Sequence, residues 1–174
     1  MNRIAVLIDE GFEDSEYSEP AKAFKEAGHE LVHIGLKKGA KIQGKGKKVS
    51  VKTDLSLDEG SVDQFEALFI PGGYSPDHLR ADPRAVKFAA DFMKTDKPVF
   101  AICHGPQILI NAQALHGRKL TGWKSIAPDI RNAGGEYLDE EVVEDGNLIT
   151  SRKPADIPAF IEASLHYLAH TAHI

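Results

Sequence analysis

A chain of 174 residues is about one domain long and can bury a substantial core. Its 42% apolar and 27% charged residues are an ordinary globular balance. A net charge of −5 and a pI of about 5.9 exclude a bulk electrostatic pull toward nucleic acid or an anionic membrane.

No apolar run approaches the ~20 residues that span a bilayer. The first run, Ile4-Ala-Val-Leu-Ile8, is also too short for the core of a signal peptide and reads as a first strand. A polar turn over Asp9 to Asp14 leads into a helix through Pro20, Ala23, Phe24 and Ala27, capped by Gly28. Leu31-Val-His-Ile-Gly35 is a second strand. Residues 37–53, rich in Lys and Gly with alternation at Val49 and Val51, read as an excursion or a solvated hairpin at the sheet edge. Ala67-Leu-Phe-Ile70 is a third strand that runs into Pro71-Gly-Gly73. A helix over Pro83 to Lys94 places Ala85, Phe88, Ala89 and Phe92 on one face.

Val99-Phe-Ala-Ile102 is a fourth strand, buried on both faces because no position alternates to polar. Cys103-His-Gly-Pro106 follows, then a helix carrying Ile108, Leu109 and Ile110. Val142-Val143 and Leu148-Ile149 flank an Asp145-Gly146 turn as a hairpin, and an amphipathic helix runs from Asp156 to the C-terminus. Strands alternating with helices predict an α/β fold: a mostly parallel sheet with helices on both faces, in a single domain over residues 1–174. A lone cysteine excludes an internal disulfide, and the cytoplasm is the expected compartment.

The strongest chemical signal is the buried strand that ends at Cys103 with a helix starting just beyond. That is the sequence form of a nucleophile elbow, with Gly105 giving room for the turn and Pro106 suiting a first helical turn. A thiol at a helix N-terminus is expected to favour thiolate, armed at neutral pH. The backbone N–H of His104 is placed to help form an oxyanion hole, and its ring can reach the sulfur in a strained elbow. Pro71-Gly-Gly73 opens on the same edge of the sheet, so the Gly72 and Gly73 amides are candidate oxyanion donors. Five carboxylates crowd residues 9–16, and Glu13 and Glu16, three apart, share one face of the first helical turn. A carboxyl against a thiolate has its pKa raised and becomes a proton donor; the other reading of the cluster is acids matched to a helix dipole. His166, His170 and His173 are spaced for a metal but sit at a frayed helix end without acidic or Cys ligands nearby, so no metal is expected. The basic run 37–52 lacks the interleaved aromatics of a nucleic-acid surface, and Gly44-Lys-Gly46 is not a phosphate loop.

Phe12-Glu-Asp14 with Glu16, Ile70-Pro-Gly-Gly73, Ala101-Ile-Cys-His-Gly-Pro-Gln107, Asn132-Ala-Gly134 and Thr150-Ser-Arg152 resemble, in order and spacing, the PfpI family of intracellular protease-like and general stress proteins. That family belongs to the superfamily of the parkinsonism-associated deglycase and class I glutamine amidotransferases. The resemblance runs from Ile4 to about Leu168 and implies a flavodoxin-like sandwich. It also implies Cys103 as nucleophile, His104 as its paired histidine, Glu16 as the acid bonded to the sulfur and Glu13 as a wall of the same pocket. The Gly73 and His104 amides would form the oxyanion hole. An acid just past Pro-Gly-Gly, here Asp77 in place of the archetype's longer glutamate, would orient the histidine from a neighbouring subunit. A homodimer or larger homo-oligomer is therefore expected.

Three functions fit these residues. In the favoured one, Cys103 adds to a reactive carbonyl such as methylglyoxal or its protein adducts (glyoxalase or deglycase chemistry), Glu16 shuttles the proton and no cofactor is needed. In the second, an intracellular cysteine peptidase or amidase uses a Cys103-His104-Asp77 triad on a peptide. In the third, Cys103 is the oxidisable thiol of a stress sensor or chaperone.

Overall fold

The computed structural model describes residues 2–171, and its apolar runs assemble into one seven-stranded sheet. In chain order, β1 (Arg3–Leu7) leads through α1 (Asp14–Glu26) to β2 (Glu30–Gly35). The hairpin β3 (Lys41–Gln43) and β4 (Ser50–Lys52) follows, then β5 (Leu55–Ser56) and β6 (Ala67–Ile70). Next come α2 (Ser75–Arg80), α3 (Pro83–Met93), β7 (Val99–Ile102) and α4 (Pro106–Asn111). The short strands β8 (Lys119–Leu120) and β9 (Glu136–Tyr137) pair with each other around α5 (Ala127–Asn132). Finally β10 (Val143–Asp145) and β11 (Leu148–Ser151) precede α6 (Ile157–Thr171).

The sheet order is β10-β11-β7-β6-β1-β2-β5, and every neighbouring pair is parallel except the β10–β11 hairpin. Strands β6, β7 and β11 are buried at every position, as strands covered on both faces must be. On one face Tyr17, Ala21 and Phe24 of α1 and Phe160 of α6 pack on Ile4, Val6, Phe69 and Phe100. On the other, Phe88 and Phe92 of α3 and Ile108 and Leu109 of α4 cover Ala5, Leu7, Leu68 and Ile70. The result is the expected flavodoxin-like three-layer sandwich. Phe69 is gripped between Phe24 and Phe160, with ring centroids at 5.6 and 6.1 Å. Deleting a ring buried in this way costs ~3–5 kcal/mol.

Two features differ from the sequence reading. A six-residue helix, α2, begins straight after Pro-Gly-Gly-Tyr, with Pro76 in its first turn where the missing N–H is harmless. The Lys-rich hairpin is not at the sheet edge, which β5 occupies. It lies as a separate two-stranded ribbon against the start of α1, with Ile42 and Val51 buried in the same cluster as Phe12 and Tyr17.

After β2 the chain returns to the far side of β1, so the order reverses between β1 and β6. A crevice opens at that reversal, outside the C-terminal ends of the strands. The loops after β1, β6 and β7 all end there.

Candidate active site

The turn after β7 is strained and tightly held. Cys103 has φ 62°, a left-handed conformation that costs a residue with a side chain on the order of 1 kcal/mol or more. Two backbone bonds fix it: its N–H donates to Ser151 O at 2.9 Å, and its carbonyl accepts from Trp123 N–H at 2.8 Å. A Cβ on Gly105 would come within 2.8 Å of Ile70 O, so only glycine lets the backbone pass there. Pro106 then opens α4. The sulfur is thereby raised above the strand ends, as a nucleophile elbow requires.

Glu16, on the first turn of α1, is 1% exposed and hydrogen-bonds the Cys103 sulfur. Its Oε1 accepts from Gly72 N–H at 3.1 Å. Burial first, and Glu13 second, push the Glu16 carboxyl up to about 8. The Cys103 thiol is pushed up as well, by burial and then by the Glu16 charge, against a smaller opposing pull from the His104 backbone N–H. This corrects the expectation of a thiol armed by a helix end. α4 has only six residues, and desolvation beside a carboxyl outweighs whatever its dipole contributes.

His104 Nδ1 lies 3.5 Å from the sulfur. Burial and then Lys45 push its pKa down, with Asp77 opposing them. Asp77 reaches the same cavity from α2 but makes no hydrogen bond to His104 among the described residues of this chain. The Gly72 amide, expected as an oxyanion donor, is instead engaged with Glu16. The Gly73 N–H makes no hydrogen bond among the described residues and borders the cavity, so Gly73 keeps a free donor.

These side chains line a cavity of about 510 Å³, with Cys103, His104 and Glu16 on one side and Glu13, Asp77 and Gly73 around it. Gln107, Trp123, Tyr74, Pro154 and Lys45 complete its wall. Sequence reasoning gave none of these five a role, although Gln107 closes the motif around Cys103 and Tyr74 follows Pro-Gly-Gly. For Trp123 and Pro154 no local signal exists, because they arrive on separate loops. Lys45 belongs to the hairpin read as merely solvated, yet its Nζ lies 2.8 Å from Glu13 Oε2.

The acidic cluster separates into distinct roles. The Glu10 carboxylate accepts from Gln43 N–H at 2.9 Å. That of Asp14 accepts three hairpin N–H groups, Glu13 pairs with Lys45, and Glu16 meets the sulfur. Among the described residues no group of three His, Cys, Asp or Glu is placed to hold a metal ion. His166 and His170 stack at 4.0 Å, and His173 lies outside the described residues. No helix among them is long and apolar enough to cross a membrane.

Known proteins share this sequence and fold over nearly the whole chain. General stress protein 18 of Bacillus subtilis is 57% identical over 167 residues, covering 95% of this chain and 97% of that protein. Protein/nucleic acid deglycase 2 of Escherichia coli is 52% identical over 167 residues, with 95% and 97% covered. A two-domain crystal structure from Anabaena variabilis, containing DJ-1/ThiJ/PfpI-like and ferritin-like domains, superposes with a TM-score of 0.95 at 40% identity. It covers 100% of this chain, which spans 50% of that longer one. The profile of the DJ-1/PfpI family matches residues 2–167, and the chain belongs to that family.

Proposed function

We propose that the chain is a cysteine-dependent enzyme of stress defence that acts on reactive carbonyls, converting methylglyoxal, free or as a protein adduct, to lactate. The observation that carries this reading is the direct contact of the Cys103 sulfur with a carboxyl group able to hold a proton at neutral pH. Carbonyl addition needs those two groups and nothing more.

The Cys103–Glu16 pair first gives one proton to solvent. Its thiolate form then attacks the aldehyde carbon, a C–S bond forms, and the Glu16 carboxyl delivers its proton to the aldehyde oxygen, giving a hemithioacetal. The carboxylate left behind takes the C1 proton and passes it to the C2 oxygen, giving an enediol. Transfer of the C1 hydroxyl proton to C2 turns this into an S-lactoyl thioester. Water cleaves the C–S bond, lactate leaves and the sulfur regains its proton. The free Gly73 N–H borders the space in which the oxygen charge develops.

The names of two relatives, a general stress protein and a deglycase, point the same way. Peptide hydrolysis has less support, because among the described residues of this chain no carboxylate is hydrogen-bonded to His104 to orient it as a leaving-group acid. The test is lactate formation from methylglyoxal by wild type beside Cys103→Ala and Glu16→Gln. Loss of turnover in Cys103→Ala and at least a hundredfold loss in Glu16→Gln are expected. Turnover that survives Cys103→Ala refutes the reading.

A further inference from the structure

The hairpin turn between β3 and β4 is tied to α1 by one buried side chain. Asp14 is 8% exposed, and its Oδ2 accepts from Gly46 N–H at 2.7 Å. Its Oδ1 accepts from Lys48 N–H at 3.2 Å and Val49 N–H at 3.0 Å. The fit is close: a Cβ on Gly46 would come within 2.6 Å of Asp14 Oδ2, and one on Gly44 would overlap the carboxylate. Between those glycines stands Lys45, whose own N–H donates to Phe12 O at 2.8 Å. Its side chain passes Tyr74, with Nζ 5.5 Å from the ring centroid, and ends against Glu13 on the cavity wall that faces Cys103.

The charged and titratable groups around the sulfur come from four places. α1 and its N-cap supply Glu16 and Glu13, α2 and its N-cap supply Asp77 and Tyr74, the elbow supplies His104, and the hairpin supplies Lys45. Lys45 is the one permanently charged cation in that set. Without it three carboxyls face the thiol.

We infer that Asp14 is a positioning residue: by clamping the 44–49 turn it holds the Lys45 ammonium over the cavity, where that cation steadies negative charge on the Cys103–Glu16 couple. The energetics agree in sign, since Lys45 pulls the ionisation of both Glu16 and Cys103 downward. Three backbone donors on one carboxylate make a rigid clamp, because each bond is charge-assisted. A lysine on an unclamped Gly-Lys-Gly turn would sample many orientations instead.

The proposal rests on Cys103 as nucleophile and not on the carbonyl reading, so thiol alkylation by iodoacetamide tests it separately. Rates are measured from pH 5 to 10 for wild type, Lys45→Met, Lys45→Arg, Asp14→Asn and the Asp14→Asn/Lys45→Met double variant. Lys45→Met is expected to alkylate three- to tenfold more slowly below the midpoint of the profile, a midpoint raised by about half to one pH unit. Lys45→Arg should return within twofold of wild type. Asp14→Asn should move the profile in the same direction, and in the Lys45→Met background it should add nothing, because its effect passes through the lysine. A Lys45→Met profile that superimposes on wild type overturns the role of the cation. An Asp14→Asn effect that persists undiminished in the Lys45→Met background overturns the positioning role. Should Asp14→Asn fail to fold by circular dichroism, Gly46→Ala loosens the same clamp from the hairpin side and takes its place in both comparisons.

Discussion

Replacing Glu16 by Gln should change the pH dependence of stability in a defined direction. The glutamine oxygen can still accept from Gly72 N–H, so the 3.1 Å bond survives while the ionisable group is removed. In the wild type the carboxyl ionises at about 8 when folded, against an ordinary value of 4.5 for a glutamate in water. The folded state therefore binds the proton more tightly. The stabilisation this gives is fully present below pH 4.5 and is lost as the pH rises to about 8. At ~1.4 kcal/mol per pH unit the interval corresponds to a ceiling of about 5 kcal/mol. Urea unfolding of both proteins at half-unit steps from pH 4.5 to 9 measures it. The stability of Glu16→Gln relative to wild type should climb steadily to about pH 8 and level off above it. A flat difference across that window, or one that favours wild type more as pH rises, would refute the burial argument.

Further outcomes follow from the same geometry. Gly72→Ala places a Cβ 2.9 Å from Cys103 Cβ and 2.9 Å from Ile102 O, and against Glu16. Unfolding in urea should show a loss of ~1–3 kcal/mol, and lactate formation should fall more than tenfold. The kcat/KM for methylglyoxal should rise with pH along a limb near 8, where the Glu16 carboxyl ionises; a limb below 6 would contradict its burial. Asp77→Ala should change lactate formation less than threefold, since Asp77 is exposed and unbonded to His104, and a hundredfold loss would restore the triad reading.

The strands most legible in the sequence are those covered on both faces. Ala67–Ile70 and Val99–Ile102 have the expected bounds because an unbroken apolar run flanked by Pro or Gly leaves no other place to go. The elbow was legible for a related reason: a buried strand cannot end at Cys-His-Gly-Pro without turning sharply. The hairpin was the hardest part. Seven lysines across residues 37–52 announce a solvated surface, while Ile42 and Val51 are buried in the core and Val49 packs partly against it. Nothing local says that Asp14, well upstream in the chain, collects their turn. Nor could spacing separate five neighbouring carboxylates into distinct roles, because each role depends on what a distant loop brings to it. The ionisation of Cys103 was misjudged from local position alone, since a helix end counts for little once its carboxyl neighbour and burial are known.

Raised pKa values on two groups in contact do not disarm the site. Sulfur and carboxyl share protons, so the ionisations belong to the pair. The first proton leaves near the value that burial gives Glu16, and the single negative charge that remains can sit on oxygen with a thiol, or on sulfur with a carboxylic acid. The second form is the reactive one, a thiolate with its proton donor already in contact. Burial opposes both ionisations, and the second far more, because that one would put two charges into one dry space. Carbonyl addition needs the singly charged pair, because the oxygen formed in the step must take a proton as the C–S bond closes. A freely ionised thiolate beside an ionised carboxylate would lack that proton. The burial that keeps Cys103 from being a simple low-pKa thiol is thus what keeps Glu16 able to serve as its acid.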